Sequence, residues 1–561
     1  MKHTHFFFKA ASMLIAGLCY GCSSQQSKQI PETAPNIVNI INFVRQTEPR
    51  PINITDQDLF NTTANQLKLL QQYNLKGTFL LQYDALINAD YQALMHEAEK
   101  SGSEIGGWWE ITQPHVEACQ MTWRGAYPWD WHANVGFATG YTPEERIKLV
   151  DAYMQKFKEI FNYYPKSVGS WFIDAVTLQY MREKYNIEAS CNCRDQVGTD
   201  GYTLWGGYWS QGYYPSRKNA YMPAQNIENQ IDVPVFRMLG SDPINQYDCG
   251  IGGSVQGVET LEPVYGAGGG NKQWIDWYFR QFTDSPSLNF QYVQVGQENS
   301  FTWGPMQNGL SYQTFVVDSL VKQGKVKLMT LAETGKWFKE KFKFTPVSSS
   351  IALEDIKPAE RKSLWFNSRF YRTNIIWENS SLRFRDIHLF DENLESFYLN
   401  TPGTSTQCNY KTLPIVDGFN WSSDTEVAGL RLKKVVDGVC SDVKVMAPQV
   451  VKQDDNSYLI TTPLQDGGNC IVMLSEKNIQ INMKNVKGDY IFLFSADKEK
   501  TLPFEKMDNK SISCNFNNFG YHIDCTKGEF VSSDQVNNLI VRPDKDGCII
   551  VDLAQRTPKD I

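Results

Sequence analysis

The sequence predicts an α/β fold, a distorted (β/α)7–8 barrel followed by a C-terminal all-β sandwich domain. Three observations point to it. From Asn36 to about Phe344, apolar runs of strand length alternate with amphipathic helical stretches, which is the pattern of a parallel sheet with right-handed crossovers. Seven or eight such units in about 310 residues favour a closed sheet. An open doubly wound sheet is the alternative, but no G-x-G-x-x-G follows the first strand to mark a dinucleotide site. After Thr345 the texture changes to short alternating segments such as LRFRDIHLF, SYLITTP, NCIVMLS and GCIIVDL, broken by Asp, Asn and Gly turns.

The elements follow in order. NIVNIINF (36–43) is the first apolar run, and Thr55 with Asp58 opens a helix whose buried stripe is Leu59, Leu67 and Leu70. GTFLL (77–81) is the second strand, and Tyr91–Lys100 is a helix closed at Gly102. GSEIGGWWE (102–110) is a third strand ending in two tryptophans and a carboxylate. Residues 110–141 carry no regular pattern, and a loop that long in a compact domain is usually functional. Thr142-Pro143-Glu144-Glu145 starts a helix with an N-cap, a proline at the first position and a capping-box glutamate. KSVGSWFI (166–173) is the fourth strand, followed by a helix over 175–185 and a strand over 187–193. A second long loop, 194–231, precedes the strand VPVFRML (233–239). A helix near 272–282, the strand NFQYVQV (289–295), a helix over 307–322, a last strand at 325–329 and a helix capped by Thr330 and Glu333 complete the barrel.

Composition bounds the partners. The chain has 561 residues, too many for one core, and a net charge of −8. That charge argues against a nucleic-acid partner. Lys2 and Lys9 flank the apolar run Phe6–Leu18, too short for a mature membrane span. The run ends in LCYGC and resembles a bacterial lipoprotein signal with Cys22 as the lipidated residue; an ordinary cleaved signal peptide is the alternative. Either places the mature protein outside the cytoplasm, in the periplasm or on the surface of a Gram-negative cell. With a lipid anchor, that anchor is the only membrane contact. SSQQSKQ lacks the acidic cluster of surface-exported lipoproteins of the Bacteroides type, which favours the periplasm. The division is a signal at 1–22, a tether at 23–35, a barrel at 36–345, a linker at 346–362 and a β domain at 363–561. Ten cysteines follow Cys22, as disulfides or as buried thiols.

Aromatic and acidic residues gather at the strand ends. Eleven of the fifteen tryptophans lie between Trp108 and Trp303. Trp108, Trp109, Trp123, Trp129, Trp131, Trp171, Trp205, Trp209 and Trp303 fall at strand ends or in the loops beyond, where sugar rings could stack on them, with about half expected to pack the loops instead. Glu110, Asp174, Asp242 and Glu298 end the third, fourth, sixth and seventh strands, and the mouth formed by strand ends is where barrel enzymes keep their chemistry. Asp174 has a second reading as the cap of the helix beginning at Ala175, and Asp242, before Pro243, as a turn residue. Glu110 and Asp242 are candidates to bind sugar hydroxyls.

Thr78-Phe79 and Gly102-Ser103-Glu104-Ile105-Gly106-Gly107-Trp108 carry a resemblance to the NodB-like polysaccharide deacetylases and their glycosidase relatives. The second motif matches the family's G-H-E-I-G-N-H at four of seven positions. The resemblance covers roughly Asn36–Phe344 and implies a distorted barrel acting on carbohydrate. Its deacetylases hold a metal through an aspartate after the first strand and two histidines after the third. Here the first strand runs IINFVR without an aspartate, and Trp108 and Thr112 stand at the histidine positions. No metal or other cofactor is therefore expected; His115, Asp130 and His132 are the only other ligand set in view, and stabilising the loop is their simpler role. Related metal-free glycosidases carry a carboxylate pair on the fourth and seventh strands. By that correspondence Asp174 is nucleophile or base and Glu298 is general acid, its pKa raised by Trp303 and Trp171, with the two roles exchangeable. The function expected is metal-independent glycoside hydrolysis. Non-catalytic glycan binding and atypical deacetylation are the alternatives.

Overall fold

In the computed structural model, residues 34–50 and 53–554 are described. The signal, Cys22 and nearly all of the tether lie outside the described residues. Seven parallel strands stand side by side in the order Gln291–Val295, Asn36–Val44, Thr78–Leu81, Glu104–Trp108, Ser167–Gly169, Ala189–Asn192 and Val235–Arg237. An eighth, Lys327–Leu328, pairs in parallel with the first half of Asn36–Val44. Gly212–Tyr213 adds an antiparallel edge to Val235–Arg237, and the sheet is a nearly closed barrel.

Strand alternation sorts the side chains. Val38, Ile40 and Val44 join Leu67 and Leu70 in the layer between strands and helices. Ile37, Ile41 and Phe43 join Leu80, Trp108, Cys191, Phe236 and Tyr292 in a second cluster inside the barrel. The expected capping boxes form at Thr55–Asp58, Thr142–Glu145 and Thr330–Glu333. Three helices end on a left-handed asparagine: Asn74, Asn162 and Asn186.

Some expectations differ from the structure. The irregular stretch 110–141 contains a short helix, Gln113–Ala118, with Pro114 in its first turn. The helix expected at 307–322 begins earlier, at Trp303. The stretch read as a linker holds the strand Ser348–Ala352, which pairs with Lys362–Asn367 and opens the β domain. Most of that domain's strands form a ten-stranded and an eight-stranded sheet. Phe384, Phe492 and Val541 of the first share an apolar core with Ile481, Ile523 and Ile549 of the second. The cysteines from Cys119 to Cys548 are free thiols, the buried-thiol alternative in most cases.

The seam between barrel and β domain corrects two assignments. Trp205 and Trp209 are buried there with Tyr247, Trp365 and Phe419, and Trp209 stacks on Trp365 at 3.7 Å with planes 3° apart. They close a packing interface, so neither offers a face to a sugar. Strand Cys408–Lys411 pairs in parallel with Tyr202–Trp205. Buried Asp195, just past a barrel strand, pairs with Arg237 and with Arg372 of the β domain, which also holds Asp386.

Candidate active site

The inner row of each strand continues past its end. Two residues beyond Phe43, Leu80 and Trp108 stand Arg45, Gln82 and Glu110. Alternation therefore keeps them on the inner face, one layer above the apolar fill. Below them Phe43 stacks on Trp108 at 4.2 Å. In the polar layer, Arg45 Nε and Nη2 donate to the two carboxylate oxygens of Glu110 at 2.8 and 2.6 Å. Gln82 Nε2 donates to Glu110 Oε2 at 2.8 Å. Arg45 Nη1 reaches Glu48 Oε2 at 3.3 Å and Ser300 Oγ at 3.2 Å, and it lies 2.9 Å from Glu298 Oε2. The last contact is one of charge, since Glu298 Oε2 accepts no aligned hydrogen bond. The guanidinium also sits 4.1 Å above the buried ring of Trp129. Asn299 ties the first strand's end to the seventh's: its Oδ1 accepts from Arg45 N at 3.0 Å, and its Nδ2 donates to Arg45 O at 2.7 Å.

Arg50 forks onto Glu48, with Nε to Oε1 and Nη2 to Oε2 both at 2.8 Å. Two guanidinium groups thus face three carboxyls, Glu48, Glu110 and Glu298. The surplus negative charge falls on Glu298. Burial pushes its pKa up to about 7; Arg45 and Arg50 pull it down, and Glu110 and Glu48 push it further up. Burial also raises Glu48, but hydrogen bonds from Arg50 and the charges of Arg45 and Arg50 outweigh it, leaving that carboxyl below its ordinary value. Asp84, beyond the second strand, is raised to about 7, by burial first and by Glu110 as well. Near neutral pH, Glu298 can therefore give or take a proton, while Glu48 stays ionised.

The other candidates are placed as follows. Asp174 is buried and caps the helix Ala175–Tyr185: Oδ1 accepts from Thr177 N and from Arg146 Nη1, both at 3.0 Å, and Oδ2 accepts from Thr177 Oγ1 at 2.5 Å. This corrects its assignment as nucleophile or base. Asp174→Ala should cost about 3–5 kcal/mol in urea unfolding, because it strands buried Arg146. Asp242 is a turn residue, accepting from Ile244 N and Asn245 N at 2.8 Å and from Trp274 Nε1 at 3.0 Å. Trp108 fills the barrel, and Trp109 packs edge-on to His115 and Tyr153. None of these three meets substrate. Trp171, half-buried and edge-on to Trp108, and Trp303, half-buried at a helix start, stay partly open. Glu110 is at the mouth, but as the partner of Arg45. Arg45, Glu48, Arg50 and Gln82 were not anticipated, and Trp129, expected as a stacking face, is instead buried beneath Arg45. The signal that could have found the strand-end residues is the inner alternation, followed two residues past each apolar run.

The residues do not fit a divalent ion. A guanidinium occupies the centre of the carboxyl cluster, and both oxygens of Glu110 are taken by it. His115 is buried against Tyr83 and bonded to Leu149 O, while Asp130 and His132 pair with each other. Among the described residues no group of three or more His, Cys, Asp or Glu side chains is placed to hold an ion.

A family described as a domain of unknown function with solved structure, DUF3863, matches residues 127–347. No curated protein matches the chain. A solved structure of a putative glycoside hydrolase/deacetylase from Parabacteroides distasonis is similar at 16% identity, with a TM-score of 0.50 over 68% of this chain and 92% of that one. A putative polysaccharide deacetylase from Mycobacterium smegmatis is similar at 10% identity and a TM-score of 0.35, over 56% of this chain and 93% of that one. A 4-alpha-glucanotransferase from Thermococcus litoralis is similar at 10% identity and a TM-score of 0.31, over 94% and 98%. The first supports the fold.

Proposed function

We propose that the protein is a metal-independent glycoside hydrolase, lipid-anchored outside the cytoplasm, acting on a poly- or oligosaccharide with Glu298 as general acid. One observation carries this reading: a nearly buried carboxyl at the barrel mouth, 2.9 Å from Arg45 Nη1, whose Oε2 accepts no hydrogen bond and whose pKa burial raises to about 7. In glycoside cleavage one carboxyl protonates the leaving oxygen, and a second, ionised one faces the positive charge that develops on the sugar. Glu48 replaces Asp174 as the ionised partner, because it shares Arg45 Nη1 with Glu298 and is held below its ordinary pKa. The printed name of the Parabacteroides protein, a putative glycoside hydrolase/deacetylase, agrees with a carbohydrate substrate.

A second reading, glycan binding without cleavage, is favoured by the four donors on Glu48, Arg50 N and Nε to Oε1 and Arg50 Nη2 and Arg45 Nη1 to Oε2, which leave that carboxylate no free lone pair toward a sugar carbon. Product analysis on a panel of neutral, acidic and acetylated glycans separates the readings. New reducing ends support hydrolysis. Acetate alone would support deacetylation, and binding without product would leave only recognition.

A further inference from the structure

We propose that the loop around residues 123–137 carries a sugar-binding subsite, a platform formed by the rings of Tyr127, Trp131 and His132 and held in place by the β domain. The proposal rests on the carbohydrate reading of the barrel mouth. Tyr127 stacks on Trp131 at 5.6 Å with planes 19° apart, and Trp131 on His132 at 5.1 Å and 27°. Tyr127 is 43% exposed, the His132 side chain 41%, and Trp131 is half-buried. Two residues away, Trp129 is fully buried beneath Arg45. The segment thus sends one indole inward to the charge cluster and holds the next at the surface.

The loop is anchored at many points. Trp131 O accepts from Tyr202 OH at 3.2 Å, and Tyr127 O accepts from Trp123 Nε1 at 2.9 Å. Buried Asp130 accepts from Ala126 N at 2.9 Å and pairs with His132 Nδ1 at 2.6 Å. A side chain at Gly136 would meet the Asp130 carbonyl oxygen at 2.1 Å, so the turn below the platform requires glycine. The β domain supplies further bonds: Ala133 N donates to Thr406 O at 3.0 Å, Gly403 N to Thr139 O at 2.7 Å, and Asn134 Nδ2 to Thr404 O at 3.1 Å. Irregular backbone fixed this firmly, with stacked rings left facing water, is the arrangement of a preformed binding face.

The chemistry fits a pyranose. Its C–H face can lie across the platform, whose most exposed ring, Tyr127, is backed by Trp131, and its hydroxyls can reach the exposed edge of His132. The platform is continuous with the mouth: the Arg50 guanidinium lies 5.2 Å from the Trp129 ring and 5.7 Å from the Trp131 ring while forking onto Glu48. The ligand placed here is therefore a ring of the same glycan that reaches Glu298, on the side of the mouth nearest the β domain.

The test is oligosaccharide binding by calorimetry and indole fluorescence, made in a Glu298→Gln background so that nothing is consumed. Trp131→Ala should weaken binding about tenfold or more, Trp131→Phe should recover most of it, and both should melt with the parent. Equal affinity in Trp131→Ala and its parent would overturn the platform and leave the carbohydrate reading standing. If neither the parent nor the natural protein binds any glycan, the carbohydrate reading fails and the platform with it. If Trp131→Ala melts early, Tyr127→Ala and His132→Ala, which remove the two exposed rings, decide: unchanged affinity in both counts against the subsite.

Discussion

Glu298→Gln should lower glycan cleavage by about a hundred- to ten-thousandfold, the usual range for loss of a general acid. Binding should be largely retained, because the amide keeps the shape of the carboxyl. In the natural protein, activity should fall as pH rises through about 7, where Glu298 gives up its proton; in the variant the residual rate should lose that limb. Stability tests the same residue without a substrate. A carboxyl whose folded pKa lies above its unfolded value favours the folded state fully at pH below the unfolded value, and that contribution is lost as pH rises through the folded value. Glu298 and Asp84 should therefore make the natural protein less stable between about pH 4.5 and 7.5 as pH increases. Urea unfolding across that window should show this slope, reduced in Glu298→Gln, with Asp84 and other carboxyls that burial raises, among them Glu104, Asp242, Glu262 and Asp386, supplying the remainder. An unchanged slope would mean that Glu298 is not the titrating group.

Arg45→Met should be the most destabilising single change at the mouth, costing about 3–5 kcal/mol or more near pH 8. The side chain is nearly inaccessible and serves three carboxyls and an indole. Its removal leaves Glu110 buried with only Gln82 and takes from Glu298 the nearer of two cations. The carboxyls can recover by taking up protons, so the loss should be smaller near pH 5. Unfolding midpoints at the two pH values check this. Equal losses would show that Arg45 acts through packing rather than charge.

Much of the fold was legible because it is written locally. Thr142-Pro143-Glu144-Glu145 announces its helix through three residues that satisfy backbone donors within one turn. NIVNIINF announces a buried strand by its run of apolar residues. The tryptophans were harder. Trp205 and Trp209 lie in a loop that looks open in sequence, and only the distant Trp365 makes that loop an interface. Asp174 satisfied two patterns at once, strand end and helix cap, and the choice was made by Arg146, 28 residues upstream.

By itself the sequence determined the alternation of strand and helix, the change to antiparallel strands after Thr345, and the position of Glu298 at a strand end. Tertiary structure alone decided which acid holds a mobile proton. That property depends on Arg45, Glu48, Arg50 and Glu110, brought around Glu298 by barrel closure from positions up to 253 residues away. A pKa is set by burial and by charges within a few ångströms, and neither distance is encoded along the chain.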